Sequence, residues 1–170
     1  MFLKSFEKIN NAYLEVRTKS TNIDVFKSIK PMKNVIIAYS LNPEIIVKEF
    51  EQKTPTLKKR INSINSLQKL GWQVGLRFDP LINYSKNKQI YKKFFEFIFS
   101  KIQVEKIHSV TTGHFRMPNN FFNKLINIRP EDSLIFNKLK NDRLLECQTQ
   151  RKECEEELIK FIDYKKLFAN

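Results

Sequence analysis

Two hydrophobic periods alternate along this 170-residue chain, and that alternation constrains its fold more than any other feature. Residues 35–39, Val-Ile-Ile-Ala-Tyr, form an unbroken apolar run rich in β-branched side chains. Such a run fits a strand buried on both faces. Asn42-Pro43-Glu44 then reads as a helix start, with Asn42 as the cap, Pro43 at the first helical position and Glu44 against the dipole. Ile45, Ile46 and Phe50 follow on one face. Thr54-Pro55 repeats the start signal. After it Leu57, Ile61, Ile64, Leu67 and Leu70 recur at helical steps, and Gly71 suits the left-handed residue that ends a helix. Trp72, Val74, Leu76 and Phe78 alternate with Gln73, Gly75 and Arg77, which is strand spacing, and Asp79-Pro80 reads as its stop. Residues 13–18 and 107–110 read as further strands and residues 90–102 as another helix.

Strand, helix, strand, helix, strand, helix, strand is the order of parallel βαβ units. A doubly wound sheet for dinucleotides needs a glycine-rich turn after its first strand. With 3 Gly in the whole chain that motif is absent. The length suits one fold unit, and 41% apolar residues with 15 Phe can fill a core. Beyond residue 118 the pattern weakens into short helices at 119–128 and 131–140. A charged helix is expected at 151–166, with Leu158, Phe161 and Ile162 as its apolar contacts. The expected division is therefore an α/β barrel portion at 1–118 and a helical extension at 119–170 packed on it.

The net charge is +13, and the excess lies in residues 1–120. A polyanion such as DNA or RNA would be attracted to it. The Lys, Asn, Ile and Phe richness that AT-rich coding produces accounts for the same excess. Cys147 and Cys154 are too few for a disulfide framework and match no zinc spacing, so they read as ordinary thiols in a reducing compartment. The sequence has no signal-peptide core and no membrane-length apolar stretch, which places the chain in the cytoplasm.

In parallel barrels, ligands meet the carboxyl ends of the strands. Here those ends deliver Lys19 and Ser20, then Ser40 and Asn42, then Arg77 and Asp79, and lastly Thr111, Thr112, His114 and Arg116. Hydroxyls, an amide, a carboxylate and several cations suit a polar ligand with phosphate or carboxylate groups. The plainer alternatives are solvated charges for Lys19 and Arg77, a helix cap for Asn42, and a turn for Asp79.

Arg17-Thr18-Lys19-Ser20, Tyr39-Ser40-Leu41-Asn42-Pro43-Glu44, the Glu51/Thr54-Pro55/Arg60 spacing and Gly71–Pro80 occur in this order. Together they resemble the second half of the spore photoproduct lyase family, with Thr112-Gly113-His114-Phe115-Arg116 as a weaker further match. The resemblance implies a partial parallel (β/α) barrel of the radical S-adenosylmethionine type, lacking its N-terminal strands. Members of that family repair a thymine–thymine cross-link in DNA. They use a radical made from S-adenosylmethionine by an iron–sulfur cluster of four irons and four sulfurs. By resemblance, Lys19 and Ser40 match positions that contact S-adenosylmethionine, with Asn42 beside them. Arg77, Asp79 and Arg116 line the same rim with Asn42, where the resemblance implies contact with cofactor or DNA, and Arg151 matches a late arginine near the lesion.

The family's C-x3-C-x2-C motif is not in this sequence, and two cysteines cannot supply the three thiolates that hold a cluster. No catalytic residue and no metal ligand is therefore assigned. The expected role is the C-terminal half of a lesion-repair lyase, contributing S-adenosylmethionine- and DNA-contacting residues. The cluster then comes from a separate N-terminal half. The alternatives are a non-catalytic nucleic-acid-binding module and an inactive, truncated relic.

Overall fold

The computed structural model describes residues 3, 6–9, 11–82, 88–114, 118–130 and 144–169, except for the side chains of 88, 119, 144–147 and 169. Five strands form one sheet: β1 (Leu14–Thr18), β2 (Val35–Ser40), β3 (Gln73–Leu81), β4 (Ile107–His114) and β5 (Leu167–Ala169). All are parallel, and they lie in chain order. A doubly wound sheet reverses its strand order at a switch point. Sequential order instead carries every crossover the same way and leaves an open, barrel-like sheet.

The helices are α1 (Asp24–Lys27), α2 (Glu44–Phe50), α3 (Leu57–Leu70), α4 (Lys88–Phe99), α5 (Asn119–Ile128) and α6 (Leu144–Leu158). Strand periodicity sorts the sheet's two faces. Val35, Ile37, Tyr39, Val74, Leu76, Phe78 and Val110 join Ile46, Ile61, Ile64, Leu67, Phe95 and Ile98 in one buried apolar cluster under the helices. The opposite face carries Glu15 and Arg17, then Ala38 and Ser40, then Gly75, Arg77 and Asp79, then Ser109, Thr111 and Gly113. The register aligns these residues across the strands. One side of the sheet is thus an apolar core and the other a largely polar face.

Several boundaries differ from the sequence expectation for physical reasons. Pro43 is the residue before α2, and the Asn42 side chain does not cap it but bonds Glu51. The α3 cap is Thr56, whose hydroxyl accepts from the Lys59 N–H at 3.4 Å, while Thr54 bonds elsewhere. Strand β3 continues past Asp79-Pro80 to Leu81, because a register shift between Phe78 and Leu81 leaves Pro80 out of the ladder. A proline without an N–H fits such a bulge. Gly71 does end α3 with φ 89.

The tail differs most. Helix α6 runs over Leu144–Leu158 rather than 151–166, and the chain then turns through Tyr164–Lys166 into β5. That strand pairs with Val110–Thr112 of β4. Leu158 and Ile162 are buried, and Phe161 stacks on Phe99 at 5.0 Å, so the three apolar contacts expected of this segment are made. The expected helix at 131–140 lies outside the described residues. No helix among the described residues is long and apolar enough to cross a membrane.

Candidate functional site: the carboxyl-end rim

Glu51, the residue that closes α2, is the point on which the rim converges. Its side chain is 6% exposed, and its Oε1 accepts from Lys19 Nζ at 3.1 Å and from Asn42 Nδ2 at 3.0 Å. Its Oε2 accepts from Arg60 Nη2 at 2.6 Å. Arg60, in the first turn of α3, is fully buried. It donates also to the Pro55 carbonyl at 2.9 Å, the Ser40 carbonyl at 3.0 Å and the Thr54 hydroxyl at 2.8 Å. The Thr54 hydroxyl donates to the Glu51 carbonyl at 2.8 Å. The Thr54-Pro55 turn therefore serves to place an arginine and a carboxylate, and the helix start falls two residues later.

Burial pushes the Glu51 carboxyl up, but hydrogen bonds from Asn42 and Arg60 and the charges of Lys19 and Arg60 outweigh it and hold the pKa below the usual value. Two cations face one carboxylate. Arg60 is enclosed, so the surplus positive charge sits on Lys19, whose side chain is 34% exposed. Asn42 is buried, and its Oδ1 has no hydrogen-bond partner among the described residues. A buried acceptor without a donor is an expensive group, and one at a strand end suits a ligand.

The remaining candidates fall into other groups. Arg77 is 2% exposed, below the rim. It donates to both Glu15 carboxylate oxygens, to the Leu76 and Ser109 carbonyls and to the Ser109 hydroxyl. Those five bonds equal the donors a guanidinium has. The hydrogen bonds from Arg77 in turn hold the Glu15 carboxyl low. Asp79 lies 3.5 Å from Arg17 Nη1, and a Cβ at Gly113 would stand 2.9 Å from its carboxyl carbon. Arg151, on α6, donates to Glu155 Oε1 at 2.8 Å, and the Thr112 hydroxyl donates to the same oxygen at 2.6 Å. Arg151 is thereby brought against the end of β4. Arg116 lies outside the described residues.

The structure thus unites Lys19, Ser40 and Asn42 through two residues, Glu51 and Arg60. Their spacing is visible in the sequence, but their role as a brace is not. Glu15 had no sequence signal at all. Among the described residues no group of three or more His, Cys, Asp or Glu is placed to hold a metal ion. Cys154 is buried, and burial pushes its thiol up to about 12. An iron–sulfur cluster does not fit the residues present. Asn42 Oδ1 and Lys19 suit a ligand that brings a hydrogen-bond donor and an anion.

The comparisons with known proteins bear on the fold and the family. The chain is 23% identical over 126 residues to a spore photoproduct lyase of Clostridium acetobutylicum, covering 73% of this chain and 37% of that protein. Its fold is similar to a solved spore photoproduct lyase complexed with dinucleoside spore photoproduct, with TM-score 0.74 and 14% identity. It is also similar to a lyase double mutant with bound AdoMet and dinucleoside spore photoproduct, with TM-score 0.73 and 12% identity. Both matches cover 96% of this chain and 52% of the solved one, so the chain spans about half the length of those proteins. The spore photoproduct lyase family model matches residues 2–141, and with that span of agreement the chain belongs to the spore photoproduct lyase family.

Proposed function

We propose that this chain forms the C-terminal half of a lesion-repair lyase site, holding S-adenosylmethionine at its rim and DNA over it. The observation that carries the reading is the convergence of Lys19 and Asn42 on Glu51, with Asn42 Oδ1 buried and unpartnered at the ends of parallel strands. Lys19 binds the ligand's carboxylate. Asn42 accepts from its ammonium or hydroxyl, and the Ser40 hydroxyl is the contact proposed for its ribose. Bound S-adenosylmethionine would supply the hydrogen-abstracting chemistry, given an electron from an iron–sulfur cluster that these residues do not hold. The cysteines for the cluster come from sequence other than these 170 residues, carried by an N-terminal half that adds to the sheet at β1. Residues 1–118 provide four strands of the barrel portion, and the later segment packs α6 on it and adds β5 at its far edge.

Asp79, Arg116 and Arg151 are the proposed DNA contacts, with a net charge of +13 gripping phosphates around them. Arg77, its five donors engaged within the chain, is not among these contacts and instead ties β1 to β3 and β4 beneath the rim. Titration calorimetry of the full chain with S-adenosylmethionine tests the reading. Binding that is lost in Lys19→Ala is the expected result, and no binding by the unaltered chain would sink it. Association with a cysteine-rich chain, followed by native mass measurement, tests the split arrangement.

The charge also favours a second reading, a basic module that binds nucleic acid without catalysis. It predicts affinity for any duplex that falls steeply with salt, with no ligand at the rim.

A further inference from the structure

We infer that Glu51 and Arg60 are positioning residues that select for the amino-acid end of the rim ligand. This deepens the reading that the rim takes S-adenosylmethionine and rests on it. Neither residue reaches the ligand. Arg60 is fully buried, and its guanidinium donates to Glu51, Thr54, Pro55 and Ser40. By bonding the Ser40 carbonyl and the Glu51 carboxylate at once, it locks the end of β2 to the end of α2. Glu51 then turns two groups toward the ligand. Its Oε1 takes Asn42 Nδ2, which fixes the amide plane and leaves Oδ1 as the free acceptor. The same oxygen gathers the long, flexible Lys19 side chain beside that amide. An acceptor and a cation held on one oxygen are complementary to an ammonium and a carboxylate on one carbon. An adenosine moiety offers no such pair.

The test compares two probes on the full chain by titration calorimetry, well below its melting temperature. S-adenosylhomocysteine carries the amino-acid end, and 5′-methylthioadenosine lacks it. In Glu51→Gln, which keeps the side chain's size but cannot serve three donors as a carboxylate does, the first probe is expected to bind about tenfold more weakly. The second probe is expected to bind unchanged. Glu51→Asp, one methylene shorter, is expected to show the same selectivity and serves if the amide variant does not fold. In the unaltered protein, S-adenosylhomocysteine should shift the Asn42 side-chain amide NMR signals and methylthioadenosine should not. Equal weakening of both probes, no weakening, or equal amide shifts with both would overturn the positioning role and leave the ligand reading intact. Binding of neither probe to the unaltered chain would overturn the ligand reading and this inference with it.

Discussion

The guanidinium of Arg77 on β3 and the carboxylate of Glu15 on β1 meet across the intervening strand β2. The contact is possible because the residues between them are small. Ala38 pairs with both Arg17 and Gly75 in the register, and a Cβ at Gly75 would stand 2.8 Å from Arg77 Nη2. One buried cation thereby ties the edge strand to β3 and, through Ser109, to β4. Glu15 is its only carboxylate partner among the described ion pairs.

Removing that partner should leave a buried charge unbalanced. Glu15→Ala is expected to cost about 1–3 kcal/mol, below the range for a fully enclosed pair, because Glu15 is a third exposed. Urea unfolding measures it. A midpoint equal to that of the unaltered chain would show that the pair contributes nothing.

The two close-approach glycines should differ in their tolerance. Gly75→Ala pushes a methyl into a guanidinium whose donors are all engaged, so a loss of about 1–3 kcal/mol is expected. Gly113→Ala meets the Asp79 carboxylate, which is 21% exposed and can swing toward water, so the loss should be smaller. Thermal melts of both variants give the ranking, and a reversed order would contradict it.

Acid should unfold the chain through its bound carboxylates. Glu51 and Glu15 are both held below the usual glutamate value in the folded chain, by hydrogen bonds and by the charges of their cationic partners. The unfolded chain therefore binds more protons in acid. Their stabilisation is fully present above the unfolded value of about 4.3 and is lost as pH falls through the lower folded values. Urea midpoints taken from about pH 7 down to about pH 3 should decline, and the decline should be shallower in Glu51→Gln. An identical acid limb in the two proteins would refute Glu51's share.

Cys154 should resist alkylation. Burial and three neighbouring glutamates push its thiol to about 12, so little thiolate exists near neutrality. Iodoacetamide is expected to leave it unmodified in the native chain and to label it in urea, as read by peptide mass mapping. Rapid native labelling would mean that α6 opens readily.

The alternation of periods was enough to determine a parallel α/β chain, its first four strands, helices α3 and α4 and the glycine that ends α3. These features depend on which way neighbouring side chains point and on local dihedral preference, and both are written in residue spacing. The rim at the carboxyl ends followed from the same order, so Lys19, Ser40 and Asn42 could be named from the sequence. The sheet's strand order was decided only by tertiary packing, because many topologies share one element sequence. So was β5, whose three residues are too short to show a period and exist as a strand only on β4. The same holds for the partners of polar side chains. Asn42 could cap a helix or bond a carboxylate, and Arg77 could face solvent or close a buried pair. The choice rests on Glu51 and Glu15, which local spacing does not relate to either residue and which folding brings within hydrogen-bond distance.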